Sequence, residues 1–387
     1  MKIAIVGGFF LPIPAVAGGA TEKTWDILSR VFADADHRVT IYSRRWTHSI
    51  ESSQDPRICY RQITGFKHSS SLIVNLWRDF IWSRRVYRQL ADADIVIVNA
   101  IALPLWLGKL KPSAGRVVIL TGRVPKGQYR LYNHISLVIA ASKPVLDQVG
   151  AENPRLLPVG SVYGYPIDFN LLAGEERPKR QSHPDPAGAP LRIGFIGRIH
   201  REKGIEQVID ALIDLSQRTG LPKWSMTFCG PVDVARGGSG EDYLEGGVQR
   251  MRQVLSPEQI EIIPPVFTAE KLAEIYRSID IFILPSLSEN GETFGVAAIE
   301  AMAAGCAVIT SRLRCFSDYL IPSQNGLNYD HRASNAPVLL ADTIELLLTD
   351  EPLRERVAKE GQETAKAYDF NRFGNRMLKA FHQLLVN

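Results

Sequence analysis

The chain has 387 residues, which exceeds one ordinary hydrophobic core and favours two domains. Its 45% hydrophobic and 22% charged residues are typical of a globular protein and argue against a disordered or fibrous chain. A net charge of only +4 gives no reason to expect nucleic acid as a partner.

The cysteines and the apolar runs indicate the compartment. Neither C-x-x-C pairs nor histidines at zinc spacing occur, so we interpret the cysteines as reduced thiols of a cytosolic protein. The run after Lys2 is too short for a signal peptide, and no run approaches the roughly 20 apolar residues of a membrane span. We therefore expect a soluble cytoplasmic protein, attached at most peripherally to the inner face of the cell membrane.

The first half of the chain alternates short apolar runs with helical patterns. Lys2–Val6 is the first run; it ends at Gly7-Gly8, and an amphipathic pattern from Thr24 to Val31 follows. Such a run before a glycine turn is typical of a buried parallel strand. Further strands are predicted at 38–43, 94–98, 116–120 and 136–140.

The second half repeats this scheme. Leu191–Ile196 ends at Gly197, and a helical pattern from Ile205 to Leu215 follows. Further strands are predicted at 225–229, 259–263, 280–284 and 306–310. Two such series predict an α/β protein with two parallel sheets, each wrapped by helices.

Composition also suggests the domain boundaries. Residues 171–190 include a proline-rich, almost wholly polar stretch that is typical of a linker. It separates a first domain, 1–170, from a second domain, 191–370. The terminal segment 371–387 carries an apolar stripe at helical spacing and needs a surface to pack against.

The most informative motif lies between Pro285 and Gly305. An apolar strand ends at Pro285, a polar loop with Glu292 follows, and a helix that starts near Phe294-Gly295 carries Glu300. A strand, a loop and a helix N-terminus form a ready anion site. The alternative is an ordinary surface acid and a buried helix glutamate that needs a partner.

A second motif follows the first strand of the second domain. Gly197 to Gly204 contains Arg198 and Lys203, and these two side chains suit a diphosphate. The alternative is a solvated charged loop.

In the first domain, Gly18 and Gly19 lie in a loop before a helix, where backbone can approach a ligand closely. A plain flexible turn is the alternative.

Together these motifs resemble retaining glycosyltransferases of family 4, which have the GT-B fold. Glu292 and Glu300 match the E-x7-E signature, and Gly197–Gly204 is similar to the family's G-R-x(3–4)-K-G element. The resemblance implies two Rossmann-like, doubly wound parallel-sheet domains that face a cleft. It also implies that the final helix, 371–387, packs back on the first domain.

By this resemblance, the substrate is a nucleoside-diphosphate sugar, most often a UDP- or GDP-sugar, and neither a further cofactor nor a metal is needed. Arg198 and Lys203 would hold the diphosphate, Glu292 would lie against the sugar, and Glu300 would bond the ribose. The implied donor-binding set is Gly18, Gly19, Gly197, Val266, Glu292, Thr293, Phe294, Gly295 and Glu300.

On the acceptor side the chain departs from the family. Many members carry a histidine after a strand of the first domain, whereas this chain has Asn99 there. Asn99, Thr121, Arg123 and Lys126 are therefore the acceptor-side candidates. The acceptor hydroxyl would belong to a glycan, a lipid-linked acceptor or a small molecule, as in polysaccharide biosynthesis.

Alternative interpretations stay open. A GT-B subunit that only binds a nucleotide or glycan would also tolerate the missing histidine, and a nucleotide-sugar-editing or phosphorylase activity shares the fold. Residues 72–88 mix tryptophan with arginine at helical spacing, which favours a packing helix over a weak membrane-surface contact. Asp92 and Asp94 form a D-x-D pattern that we interpret as structural.

Overall fold

The computed structural model describes residues 1–16, 19–46, 55–174 and 189–386. They form two α/β units. Unit 1 comprises Met1–Pro166 and the C-terminal segment from Phe370, and unit 2 comprises Ile167–Asp369. Most of the predicted linker, namely 175–188, and the predicted donor-binding residue Gly18 lie outside the described residues.

Unit 1 is built on a parallel sheet with the strand order β3-β2-β1-β4-β5-β6-β7. In chain order its described elements are β1 (Lys2–Val6), α1 (Ala20–Asp34), β2 (Arg38–Arg44), β3 (Ile58–Ile63), α2 (Leu72–Gln89), β4 (Ile95–Val98), α3 (Pro104–Leu110), β5 (Arg116–Thr121), β6 (Leu137–Ala140), α4 (Lys143–Glu152) and β7 (Gly160–Val162).

Unit 2 is built on a second parallel sheet with the order β10-β9-β8-β11-β12-β13. Its described elements are α5 (Phe169–Ala173), β8 (Leu191–Ile196), α6 (Ile205–Ser216), β9 (Trp224–Cys229), α7 (Glu241–Arg252), β10 (Ile260–Ile263), α8 (Ala269–Ser278), β11 (Ile281–Leu284), α9 (Val296–Ala303), β12 (Ala307–Ser311), β13 (Leu327–Tyr329), α10 (Ala336–Thr349) and α11 (Glu351–Ala365). The chain then returns to unit 1 as α12 (Phe370–Val386).

Both sheets have a topological switch point. The strand order reverses between β1 and β4 in unit 1, and between β8 and β11 in unit 2. Open α/β sheets bind ligands outside the carboxyl ends of the strands at such a point. The loops after these four strands are therefore the places to look for a site.

The α12 helix packs against α1 within unit 1. Gly374 makes the approach close, because a Cβ there would lie 2.6 Å from Val31 Cγ1. The rings of Phe32 and Phe381 meet edge to face with their centroids 6.1 Å apart. The apolar stripe predicted over 371–387 therefore covers the same face of the sheet as α1, over Ile3 and Ile5.

The predicted α/β class with two parallel sheets is confirmed, and each predicted strand lies within one residue of an observed one. The sequence pattern does not predict β3, β7 or β13. The strand β3 is partly exposed along its length, and the other two are three residues long. A partly exposed or very short strand lacks the continuous apolar run on which the prediction relied.

Candidate functional site

Two loops of unit 2 meet at its switch point, one after β8 and one after β11. Gly204 has a φ of +72°, and a Cβ there would lie 2.1 Å from the carbonyl oxygen of Pro285. Only glycine permits this approach. The backbone N–H of Leu287 donates to the carbonyl of Glu202 at 2.8 Å, which joins the loops a second time. These contacts hold Lys203 beside the segment that carries Glu292.

The central pair of the site is Lys203 and Glu292. The Lys203 Nζ lies 2.6 Å from Glu292 Oε2, and the two side chains are only 17% and 11% exposed. The Glu292 backbone N–H donates to the Ser288 carbonyl at 3.0 Å, which stabilises the turn that presents this carboxylate. A charge-assisted hydrogen bond with little water around it holds both groups in place.

Arg198 lies at the rim of the same loop, with its side chain 42% exposed. Its guanidinium donates to Glu202 Oε1 and to the Gly237 carbonyl, both at 2.8 Å. Burial raises the pKa of Glu202, but the Arg198 guanidinium outweighs it and holds that pKa below its usual range. A guanidinium has five N–H donors, so those left over can bind an anion.

The start of α9 is fixed by aromatic packing. The Phe294 ring packs against both Tyr319 and Tyr368, with centroid distances of 5.1 Å and 5.3 Å. The Tyr319 hydroxyl donates to the Phe294 carbonyl at 3.0 Å. Gly295 follows with a φ of +79°, and a Cβ there would meet the Phe316 ring at 2.4 Å. The helix therefore begins at Val296, slightly after the predicted start.

Glu300 projects from α9 towards a buried tyrosine of α8. The Tyr276 hydroxyl donates to Glu300 Oε2 at 2.8 Å. Burial, and after it the Glu300 carboxylate, raises the pKa of Tyr276. The phenol therefore stays protonated and orients the carboxylate. The sequence indicates that a buried glutamate needs a partner, but it does not identify Tyr276, because that residue belongs to a different helix.

The other predicted donor residues of unit 2 lie around this centre. Gly197 directly follows β8, and a Cβ at Gly230 would lie 1.9 Å from the Gly197 carbonyl oxygen. Thr293 is half-buried beside Glu292. Val266 follows β10, two strands from β8 in the sheet, and its backbone hydrogen-bonds the Cys229 thiol. The structure therefore brings Lys203 and Glu292 into contact, keeps Arg198 on the same loop as Lys203, and places Val266 further along the sheet.

In unit 1, Gly19 and Asn99 lie next to the switch point between β1 and β4. Gly19 caps α1 with a φ of +103°, and a Cβ there would overlap the Glu22 carboxylate at 2.1 Å. The Asn99 amide approaches the Val6 carbonyl at 3.4 Å. Both residues therefore lie where the fold permits a ligand.

The other acceptor-side candidates surround the end of β5. The Thr121 hydroxyl is buried and bonded to the Tyr129 hydroxyl at 2.5 Å, whereas Arg123 and Lys126 are exposed. Glu22 was not predicted. This side chain is 6% exposed, and burial raises its pKa above the usual value. The positive charge of Arg123 offsets only part of this rise. Nothing in the local sequence distinguishes this helix residue as buried.

The D-x-D pattern has a structural partner in unit 1. Asp94 Oδ2 accepts a hydrogen bond from the Lys2 backbone N–H at 2.6 Å, at the start of the central strands. Among the described residues no group of three or more His, Cys, Asp or Glu side chains is arranged to hold a metal.

Residues 176–364 match the family described as glycosyl transferases group 1, over nearly half of the chain. A D-inositol 3-phosphate glycosyltransferase from Corynebacterium efficiens is 30% identical over 204 residues, which are 51% of this chain and 44% of that protein. The chain spans about half the length of the curated relatives it matches.

Similarity to solved structures extends over the whole chain. A glycosyltransferase from Rickettsia africae has a TM-score of 0.72 at 17% identity and covers 100% of this chain and 99% of its own. The Anabaena protein HepE, solved with UDP and glucose, has a TM-score of 0.70 at 16% identity. This similarity covers 99% of the present chain and 100% of the HepE chain. The chain has the GT-B fold. In this GT-B chain, the loops around Lys203 and Glu292 both lie within the part that matches the family.

Proposed function

We propose that the chain is a retaining glycosyltransferase of family 4 that transfers a sugar from a nucleoside-diphosphate sugar to a hydroxyl acceptor. The observation that carries this proposal is the Lys203–Glu292 pair at the switch point of unit 2, with Arg198 in the same loop as Lys203 and paired with Glu202. Two cations in the loop at the carboxyl end of β8, beside the switch point, suit a diphosphate. The family match over 176–364 supports the same assignment.

The donor is assigned to unit 2. Arg198 and Lys203 bind the two phosphates, and the backbone N–H groups of 293–295 add donors at the start of α9. Glu300, held by Tyr276, accepts hydrogen bonds from the ribose hydroxyls. Glu292 lies against the sugar, and Gly197 and Val266 border the nucleotide. A UDP- or GDP-sugar fits this assignment.

The reaction proceeds at one face of the sugar. The bond from the anomeric carbon to the diphosphate oxygen breaks, and its electron pair leaves with the nucleoside diphosphate. Arg198 and Lys203 neutralise that developing charge, which is the largest electrostatic task in such a transfer and is assigned here to side chains rather than to a metal ion. The acceptor oxygen bonds to the anomeric carbon on the same face, and its proton passes to the departing phosphate.

The acceptor is assigned to unit 1, with Asn99 at its switch point and Arg123 and Lys126 exposed near the end of β5, while Gly19 remains assigned to the donor phosphates. Two cations in this place favour an acceptor that carries a phosphate or another anion. The curated relatives that are named D-inositol 3-phosphate glycosyltransferases support this choice of acceptor class.

Product analysis tests the proposal. The chain is incubated with UDP-, GDP-, ADP- and dTDP-sugars, with and without inositol phosphates and simple glycosides. We expect acceptor-dependent release of nucleoside diphosphate, and a product whose anomeric configuration by NMR equals that of the donor. An inverted product contradicts the retaining assignment. Binding of a diphosphate without turnover of any donor favours the alternative of a silent binding subunit.

A further inference from the structure

The outward face of α2 changes character along the helix. Its buried side carries Asp79, Trp82, Ser83 and Val86. On the opposite side, Ile73 and Trp77 are 79% and 63% exposed, and Phe80 is 41% exposed. One and two turns further on, the same stripe presents the exposed Arg84 and Arg88. The stripe is thus apolar in its first half and basic in its second.

The exposed apolar residues continue onto α3. The rings of Trp77 and Phe80 stack with centroids 5.6 Å apart, and Phe80 meets Trp106 edge to face at 5.2 Å. Beside Trp106, Leu105 and Leu110 are 37% and 61% exposed. We call Ile73, Trp77, Phe80, Leu105 and Leu110, with Arg84 and Arg88, the α2–α3 surface. A contiguous apolar patch with a polar rim is typical of an interaction site, whereas single exposed apolar residues are not.

The charge around this surface is positive. Residues 64–90 contain five basic side chains and a single carboxyl group, Asp79, which is buried. The Asp79 carboxylate accepts from the backbone N–H groups of Ile101 and Ala102, so it does not neutralise the arginines. The guanidinium groups of Arg78 and Arg85 donate to backbone carbonyls rather than to carboxylates. The surface therefore has a net positive charge.

We propose that the α2–α3 surface binds the headgroup region of an anionic lipid bilayer. Exposed tryptophan and phenylalanine next to arginine are the composition of helices that lie in a membrane interface. Each basic residue near an anionic leaflet adds about 1 kcal/mol, or roughly a five-fold gain in binding. A second copy of the chain is the less favourable occupant, because it would bring arginines against arginines.

The proposed contact lies on the surface of the bilayer. No helix in the described part of the chain is long and apolar enough to cross a membrane. Trp77 and Phe80 would enter the boundary between headgroups and acyl chains, while Arg84 and Arg88 would meet the lipid phosphates. The inference does not depend on the proposed activity, because binding is measured without turnover.

Flotation of the full chain with vesicles tests this inference. Vesicles of phosphatidylcholine alone are compared with vesicles that also contain phosphatidylglycerol, at low and high salt. The variants are Trp77→Ser/Phe80→Ser and Arg84→Glu/Arg88→Glu. The matched control is Phe267→Ser/Arg236→Glu, because Phe267 is 79% exposed and Arg236 lies over its ring in unit 2. Phe80 is half-exposed, and the other substituted side chains are well exposed. Circular dichroism checks that each variant folds.

We expect the wild type and the control to bind the anionic vesicles and to be released by salt. Arg84→Glu/Arg88→Glu should weaken partitioning at least about 25-fold, at roughly five-fold per arginine. Trp77→Ser/Phe80→Ser should weaken it about ten-fold or more. Failure of the wild type to bind, equal binding to neutral vesicles, or an equal loss in the control overturns the proposal. So does a dimer, seen by sedimentation velocity, that Trp77→Ser/Phe80→Ser abolishes.

Discussion

The ammonium group of Lys203 lies 2.6 Å from the carboxylate of Glu292, although the two residues are 89 positions apart in the chain. They meet because β8 and β11 are neighbours in a parallel sheet, so the loops that follow them leave the same edge. The opposite charges of the two side chains neutralise each other. An ammonium has three donors, so Lys203 can keep this bond and still bind a phosphate oxygen.

Substitution of Lys203 separates its role in transfer from its role in stability. Lys203→Ala should lower kcat/KM about 100-fold or more, because the leaving diphosphate loses a cation. It should also destabilise the fold, because Glu292 is left almost buried without its partner. Lys203→Met/Glu292→Gln removes both charges and should regain stability but not turnover. The control is the exposed Lys271→Ala; unchanged turnover in Lys203→Ala contradicts the assignment.

Tyr276→Phe tests whether the orientation of Glu300 matters for the donor. Loss of this hydrogen bond should raise the donor KM about ten-fold with a smaller change in kcat, because a misplaced carboxylate binds the ribose less well. Tyr329→Phe is the matched control, since its hydroxyl donates to Gln207 at 2.7 Å elsewhere in unit 2. Both variants should lose about 1 kcal/mol of stability. Equal KM values in the two variants would show that Tyr276 is merely structural.

Gly204→Ala tests the close approach of the two loops. Its φ of +72° and the nearby Pro285 carbonyl both oppose a side chain. Gly220 has a φ of +80° but open space around it, so Gly220→Ala measures the backbone strain alone, about 1–2 kcal/mol. Gly204→Ala should therefore lower the free energy of unfolding by more than Gly220→Ala does, and it should also reduce turnover. Equal thermal shifts and equal rates in the two variants would rule out the close approach.

Glu22 should make the stability of unit 1 depend on pH. Burial raises its pKa in the folded chain, so ionisation costs folding free energy. The stability that the protonated Glu22 side chain contributes is fully present below the unfolded pKa of about 4.3. It is lost as the pH rises through the folded pKa of Glu22. In Glu22→Gln this loss should be missing, so the variant should be more stable than wild type at neutral pH. Urea unfolding from acidic to neutral pH, with the exposed Asp92→Asn as control, detects the difference; parallel profiles of wild type and Glu22→Gln would exclude it.

The sequence predicts the parts of the fold and of the candidate site that depend on neighbouring residues. The strand ends before Gly197 and Pro285, and the charged residues Arg198 and Glu292 that follow them, belong to short continuous segments. Apolar runs, glycines and charges can be recognised there without knowledge of the rest of the chain.

Contacts between distant segments could not be predicted in this way. Tyr276 is an ordinary apolar-face residue of α8 until the fold brings it to Glu300, and the need for glycine at position 204 becomes clear only beside Pro285. Likewise, the periodicity of α2 predicts its buried stripe, but the exposure of Trp77 depends on what the remaining chain leaves uncovered.

The most direct test of the central claim is calorimetric titration of UDP, GDP, ADP and dTDP into wild type, Arg198→Ala, Lys203→Ala and the control Lys271→Ala. At least one diphosphate should bind the wild type and Lys271→Ala equally well. It should bind Arg198→Ala and Lys203→Ala about 10- to 100-fold more weakly, since each loses a charge-assisted hydrogen bond. If no diphosphate binds the wild type, or if affinity is unchanged in both variants, the loops around Lys203 and Glu292 are not the donor site.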